Sequence, residues 1–389
     1  MNILLLSQFF STTRGGGEYV FSIIAKKLAE NNHKVWVITN KISNETYVNH
    51  KNINLVFVPP ILEYRGGLPP GFLDNLRYTI NAVRSGIRII KKEQIDIIHS
   101  NNFAPALAGS ILSYLTSKPH ITAIHDVFSL CGRNYWKKWG DQANISKLNV
   151  ALAPFFEKLM IKLKYDCIHT VSDATRDDLI KFGATRPIYV IHNSVEEIKK
   201  QNTEINRMQF VYVGRLVFYK NLEVVIKALQ SIKEKMPQIK LIIVGSGPHK
   251  ESLENLVKSL KLESHIEFKG YVSVEEKTDL ISTSNALVFP SLCEGFGLVI
   301  LEAFVQGRPV LVSNIRPMSD IITNMENGYV LDPHDEEVWA DHLFKLIQEP
   351  GLADKMGQKG NQLLTAYSQD SMYQKIIQMY QNCKRISDK

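Results

Sequence analysis

Short apolar runs recur along the first half of the chain, separated by longer stretches with apolar residues every three or four positions. The runs Ile3–Ser7, Lys34–Thr39, Ile53–Pro59, Asp96–Ser100, His120–His125, Asp166–Val171 and Ile188–His192 are predicted as strands buried on both faces. Between them Glu18–Asn31, Phe72–Glu93, Pro105–Leu115, Pro154–Lys164 and Ser172–Phe182 are predicted as helices. The last opens on Ser172-Asp173, a side-chain N-cap signal, and stops at Gly183, a C-cap signal. Strands alternating with helices imply a parallel sheet with helices on both faces.

The pattern then restarts. Glu196–Arg207 is polar and lacks an apolar period, so it is predicted as a linker. Phe210–Gly214, Leu241–Gly245, His265–Gly270, Ala286–Pro290 and Val310–Ser313 follow as strands, with a helix over Lys220–Lys235. The expected fold is α/β: two doubly wound, Rossmann-like parallel-sheet domains facing a deep interdomain cleft. Residues 1–195 form the first domain, 196–207 the linker and 208–370 the second domain, with a C-terminal helix in 371–389 packing back on the first. Ligands in such sheets bind beyond the carboxyl ends of the strands.

A length of 389 residues suits two domains, and 44% hydrophobic with 22% charged residues is ordinary for a globular chain. No apolar run reaches the length of a membrane span. The start, Met1-Asn2-Ile3-Leu4-Leu5-Leu6, lacks a basic leader and is predicted as a strand. The four cysteines, Cys131, Cys167, Cys293 and Cys383, are far apart with no C-x-x-C pair. That spacing argues against a zinc site or disulfide framework and for a reducing, cytoplasmic compartment. Charge is uneven. Residues 1–190 hold 23 Lys and Arg against 14 Asp and Glu, a net charge of +9, whereas the remainder holds 23 against 25. A one-sided basic field favours an anionic partner.

The chemistry concentrates at Ser291–Glu302. Gly295 and Gly297 follow an apolar strand and open a helix, with Glu294 before the turn and Glu302 seven residues beyond Gly295. A glycine turn feeding a helix N-terminus exposes backbone N–H groups suited to phosphate. Carboxylates accept hydrogen bonds from ligand hydroxyls. A ligand with phosphate in the middle and hydroxyls at both ends has the shape of a nucleotide sugar. Arg215, at the end of the second domain's first strand, and Lys220 add a planar fork and a point charge for phosphate oxygens. Gly15-Gly16-Gly17 follows the first strand but does not match G-x-G-x-x-G, so it is not a dinucleotide fingerprint. His125 ends a strand of the first domain, next to Asp126.

Taken in order, these elements resemble the family-4 retaining glycosyltransferases, which adopt the GT-B fold. The matching pieces are Val213-Gly214-Arg215-Leu216 with Lys220-Asn221, Val244-Gly245-Ser246-Gly247-Pro248, Phe268-Lys269-Gly270-Tyr271-Val272, Glu294 to Glu302 as an E-x7-E element, and Asn327-Gly328 with Val330. In the first half they are Gly15-Gly16-Gly17-Glu18, His125-Asp126, Val171 to Thr175 and Val190-Ile191-His192-Asn193.

The resemblance implies a catalytic set of His125, Glu294, Arg215 and Lys220. It implies donor contacts from Gly15, Gly16, Gly17, Arg215, Lys220, Phe296, Gly297, Leu298 and Glu302. Arg215 and Lys220 would hold the donor diphosphate, Glu302 the ribose, Glu294 and His125 the donor sugar. No D-x-D element occurs, so neither a metal nor a cofactor is expected beyond the nucleotide-diphosphate sugar itself. The expected reaction moves a hexosyl-type sugar to a hydroxyl acceptor, a lipid-linked or cell-surface glycan precursor. Alternatives are a GT-B epimerase or hydrolase, or a non-catalytic nucleotide-sugar-binding protein. The basic residues form no nucleic-acid module, so no nucleic acid is expected as a partner.

Two departures stand out. Asn193-Ser194 replaces the Asn-Gly that the family often has there, and Cys131–Asn149 matches no family motif. Basic and aromatic residues cluster at Tyr64, Arg65, Phe72, Arg77, Tyr78, Arg84, Arg88, Lys91 and Lys92. A second cluster holds Arg133, Tyr135, Trp136, Lys137, Lys138, Trp139, Lys147, Lys158, Lys162 and Lys164. This composition suits peripheral binding to an anionic membrane surface on its inner face.

Overall fold

The computed structural model describes residues 1–12, 15–43, 45–62, 71–132, 134–143, 145–198 and 204–387. Tyr64, Arg65 and Arg133 of the basic clusters, and residues 199–203 of the expected linker, lie outside the described residues.

The first part of the chain runs β1 (Asn2–Leu6), α1 (Gly17–Glu30), β2 (Lys34–Ile42), β3 (Ile53–Leu62), α2 (Phe72–Glu93), β4 (Ile97–Ser100), α3 (Ala104–Thr116) and β5 (His120–Ala123). It continues with α4 (Tyr135–Ala143), α5 (Lys147–Ile161), β6 (Cys167–Thr170), α6 (Asp173–Phe182) and β7 (Ile188–Val190). These seven strands form one parallel sheet in the order β3-β2-β1-β4-β5-β6-β7, with Leu4 opposite Trp36 on one side and Ile98 on the other. Apart from Asn2 at the start of β1, the central strands are buried, as helices covering both faces require. One core layer gathers Leu4, Trp36, Tyr78, Ile98 and Leu112 between the sheet, α2 and α3. Gly86 lets α2 approach α3: a Cβ there would stand 2.5 Å from Leu112.

The second part runs β8 (Asn206–Val213), α7 (Leu222–Ile232), β9 (Lys240–Val244), α8 (Lys250–Ser259), β10 (Ile266–Gly270), α9 (Val274–Thr283), β11 (Ser284–Phe289), α10 (Leu298–Val305), β12 (Val310–Ser313), α11 (Met318–Ile321), β13 (Gly328–Leu331), α12 (Glu336–Gln348), α13 (Pro350–Leu363) and α14 (Gln369–Ser387). Its six strands are parallel in the order β10-β9-β8-β11-β12-β13. In each sheet the strand order reverses beside the first strand, between β1 and β4 and between β8 and β11. That reversal is where loops diverge and leave room for a ligand.

The chain divides into two compact units. One comprises Met1–Leu130, Leu148–Ser194 and Ser368–Lys389; the other comprises Cys131–Lys147 and Val195–Tyr367. In the first unit α14 packs on α1, with Tyr380 Oη 2.8 Å from His99 Nδ1, Lys384 2.8 Å from Asp96 and Lys27 2.8 Å from Asp370.

Four expectations need correction. Residues 131–147, assigned above to the first domain, group with the second unit, because Tyr135 and Gln142 find their partners there. The helix predicted to start at Pro154 starts at Lys147 and carries Pro154 inside it. The strand β8 begins at Asn206, within the stretch read as linker. The cysteines read as unpaired lie in two bonded pairs, Cys131–Cys293 and Cys167–Cys383, 162 and 216 residues apart in sequence. Spacing along the chain cannot show pairs that only the tertiary fold brings together. Among the described residues no helix is long and apolar enough to cross a membrane.

Candidate active site

In the second unit the loops after β8 and β11 flank the point where strand order reverses. Gly214, Arg215 and Leu216 leave β8 against the loop after β9, with Gly214 N–H donating to Val244 O and Leu216 N–H to Ser246 O, both at 3.0 Å. Glycine is obligatory for this contact. A Cβ on Gly247 would stand 2.2 Å from Leu216 O, and Gly245 sits at φ +129° with its Cβ position 1.9 Å from Gly214 O.

A 3₁₀ turn, Phe218–Lys220, then carries Lys220 inward to 7% exposure. Its ammonium pairs with Glu294 and stands 4.8 Å from the centre of the Phe289 ring. Leu292 N–H donates to Tyr219 O at 2.7 Å, tying the two loops together. Arg215 Nη2 donates to Tyr219 Oη at 3.0 Å, while its carbonyl accepts from Tyr212 Oη at 2.9 Å. Two cations thus converge next to a carboxylate in a largely enclosed place. Such a pair adds little net stability, because desolvation offsets its attraction, but it fixes where the charges point.

Gly297 forms the N-cap of α10 at φ +89°, which an L side chain rarely adopts. Its Cβ position lies 3.0 Å from Ile300 and 3.4 Å from Phe289, so the turn is also tight. Phe296 is buried edge-on against Tyr367, and Leu298 begins the helix. Ser291 Oγ is buried without a partner among the described residues. One turn along α10 from its start, Glu302 Oε1 accepts from Lys277 Nζ at 2.7 Å. Glu294 and Glu302 therefore each hold a separate cation.

In the first unit, Gly15 takes φ +76°, and Gly17 begins α1 pressed against His125. A Cβ on Gly17 would stand 3.0 Å from His125 Nε2 and 3.3 Å from Asn101 Nδ2, whereas Gly16 faces open space. His125 Nε2 lies 3.1 Å from Asn101 Oδ1. An amide oxygen only accepts, so Nε2 carries the proton and Nδ1 is left as an acceptor. Burial pushes the His125 pKa down to about 4, so the ring is neutral at pH 7. The imidazole is thus a hydrogen-bonding group. Its own carbonyl accepts from Thr175 Oγ1, whose backbone N–H is capped by Ser172, the N-cap read from sequence.

Every sequence-predicted site residue is thus placed: Arg215, Lys220, Glu294, Phe296, Gly297, Leu298 and Glu302 in the second unit, and Gly15, Gly16, Gly17 and His125 in the first. Sequence reasoning missed Asn101, Lys277 and Tyr219. Asn101-Asn102 directly after an apolar run was a usable signal for the first; Lys277 and Tyr219 carried none.

Residues 14–197 match the model of Glycosyltransferase Family 4, and residues 194–363 match Glycosyl transferases group 1. The chain belongs to the family-4 glycosyltransferases. An uncharacterized glycosyltransferase of Methanocaldococcus jannaschii is 24% identical over 92% of both chains. Among solved structures, sucrose-phosphate synthase from Thermosynechococcus elongatus superposes with a TM-score of 0.78 at 19% identity, covering 98% of both chains. HepE from Anabaena, solved with UDP and glucose, gives 0.74 at 19% identity over 98% of this chain and all of that one. These likenesses establish the GT-B fold for this glycosyltransferase, with its two parallel-sheet, Rossmann-like domains.

Proposed function

We propose that this glycosyltransferase moves a hexosyl-type sugar, with retention and without a metal, from a nucleotide-diphosphate sugar to a hydroxyl of a lipid-linked or cell-surface glycan precursor. The observation that carries the donor reading is the buried Lys220–Glu294 pair beside Arg215, at the point where strand order reverses. The UDP and glucose held by the Anabaena relative support the same class of donor.

As the donor's anomeric C–O bond breaks, its electron pair moves to the diphosphate. Arg215 and Lys220 supply fixed positive charge where that negative charge grows. Glu294, freed from Lys220 by the incoming phosphate, accepts from sugar hydroxyls. Glu302 accepts from the ribose while Lys277 holds its other oxygen. Neutral His125 offers Nδ1 as a fixed acceptor for a sugar hydroxyl. The acceptor oxygen attacks the face the diphosphate leaves, and its proton passes to the departing phosphate oxygen, which accounts for retention without an enzymic nucleophile.

The test is product formation from candidate nucleotide sugars with hydroxyl acceptors, the anomeric configuration being read by NMR with and without a chelator. Unchanged turnover in Arg215→Ala and Lys220→Ala would refute the charge-stabilisation account. Turnover of donor without any acceptor would favour an epimerase or hydrolase.

The basic first unit carries a second proposal, a membrane surface at the inner face of the cell membrane. Helix α5 exposes Leu148, Leu152, Phe155, Phe156 and Leu159 in one stripe, flanked by exposed Lys147, Lys158 and Lys162. Helix α2 adds exposed Phe72, Leu73, Leu76 and Ile80 with Arg77 and Arg84. Apolar side chains beside cations suit an anionic bilayer. Tyr78 and Tyr135, grouped above with these patches, are instead buried, Tyr78 in the first unit's core and Tyr135 in the second unit, and leave them. Co-sedimentation with phosphatidylglycerol vesicles at low salt tests the surface, and Phe155→Glu with Phe156→Glu should abolish it.

A further inference from the structure

The second unit's site is held from two sides by a segment that reaches it from the first half of the chain. At one end Cys131 is bonded to Cys293, the residue immediately before Glu294. In the middle Tyr135, 4% exposed, packs its ring 5.5 Å from Phe218 and 5.6 Å from Tyr219, and Lys138 stands over the Phe218 ring at 5.6 Å. At the other end Gln142 Oε1 accepts from Phe218 N–H at 3.3 Å, and its Nε2 lies 2.8 Å from His249 Nδ1. Phe218 opens the turn that delivers Lys220. The residues before Glu294 and before Lys220 are therefore both tied to one stretch of 12 residues, Cys131 to Gln142.

The hydrogen bonds at the Gln142 end have a single consistent polarity. His249 Nε2 lies 2.5 Å from Glu223 Oε1. Burial raises the Glu223 carboxyl, but its bond to His249 and its own backbone N–H outweigh that and leave it below the ordinary value, so it is an ionised acceptor. Nε2 therefore carries the proton, Nδ1 accepts from the Gln142 amide N–H, and the amide oxygen is left for Phe218 N–H. Leucine could fill the same space but would leave His249 Nδ1 and Phe218 N–H unpaired.

We propose that Cys131, Tyr135, Lys138 and Gln142 form a clasp that positions Lys220 and Glu294 for the donor diphosphate, with Gln142 as the positioning residue. The proposal rests on the donor-site reading above.

Calorimetry tests it. Wild-type protein is titrated with UDP, GDP, ADP and TDP, and the diphosphate that binds is compared with its phosphate-free nucleoside. Gln142→Leu should weaken the diphosphate about tenfold through misplacement of Lys220 and leave the nucleoside unchanged. Gln142→Glu keeps the acceptor for Phe218 N–H but cannot donate to Nδ1. In that variant the bond from Phe218 N–H is kept, and diphosphate binding should return to within about twofold of wild type. Equal diphosphate affinity in wild type and Gln142→Leu overturns the clasp, as does a parallel loss of nucleoside binding. A wild-type ring protonated on Nδ1 alone overturns it without any variant that must fold. A wild-type protein that binds none of the four diphosphates overturns the donor-site reading itself.

Discussion

Acid should destabilise the first unit well above the pH at which carboxylates titrate. His99, His120 and His169 are buried in its sheet at 0%, 0% and 1% exposure. His99 Nδ1 meets Tyr380 Oη, His169 Nδ1 lies 3.3 Å from His99 Nε2, and His120 Nε2 lies 2.8 Å from Ser100 Oγ. Burial lowers the pKa of His120 to about 3 and of His169 to about 3, and burial together with the neighbouring imidazoles holds His99 well below its ordinary value. In the unfolded chain each titrates near its ordinary value of about 6.5. Between these limits the unfolded state binds more protons, so stability is full above pH 6.5 and falls as pH drops. At pH 5.5 each ring costs about 1.4 kcal/mol, a value set by the unfolded chain as long as the folded ring stays neutral. With His125, also lowered by burial to about 4, four such rings remove about 5–6 kcal/mol, a large share of a typical domain's 5–15 kcal/mol. Burial raises the Glu157 carboxyl, which works the other way: its gain begins as pH falls through the raised folded value and is complete below the ordinary carboxylate value. Native-state hydrogen exchange at pH 7.5 and 5.5, corrected for intrinsic rates, reads the opening free energy of β4, β5 and β6. It should fall by about 5–6 kcal/mol there and by much less in β8 and β11. Equal changes in the two units, or none in β4–β6, would refute the reasoning, and His120→Gln should remove about one quarter of the effect.

Gly247→Ala should cost about 2–3 kcal/mol in urea unfolding of the second unit, because its Cβ meets a backbone carbonyl that cannot turn aside. Lys277→Met should shift stability by less than about 1 kcal/mol, since the pair with Glu302 is partly exposed, yet raise the donor KM with little change in kcat. Asp354 takes a two-pronged bond from Arg207, at 3.0 and 2.7 Å, and lies 3.6 Å from buried Arg308. Asp354→Ala should therefore destabilise by about 1–2 kcal/mol, part of it recovered by adding Arg308→Met.

The strands were legible because a parallel sheet covered on both sides demands unbroken apolar runs. No alternation of apolar and polar positions marks β11, where Ser284–Phe289 is buried at all six positions. The glycine loops of the candidate site were legible because Gly245, Gly247 and Gly297 are fixed by backbone geometry that no other residue accepts. What escaped depends on distant partners. Pro154 looked like a helix start because proline suits a first turn, but α5 carries it in the interior, where it forgoes one backbone bond. Helix α4 was invisible because its apolar face is aromatic and meets Phe218 and Tyr219, far along the chain. The cysteine pairs and Lys277 escaped for the same reason.

Helix α14 gives the two units a fixed order of completion on the ribosome. The first unit takes Tyr380, Cys383 and Lys384 from the last turns of the chain. The second needs nothing beyond Tyr367. Although its sheet is made first, the N-terminal unit is finished last. A nascent chain would carry His99 and Cys167 without their α14 partners until that helix emerges, while the later-made unit is already closed. Stop codons that remove α14 should therefore yield protein whose damage appears at the opposite end of the sequence.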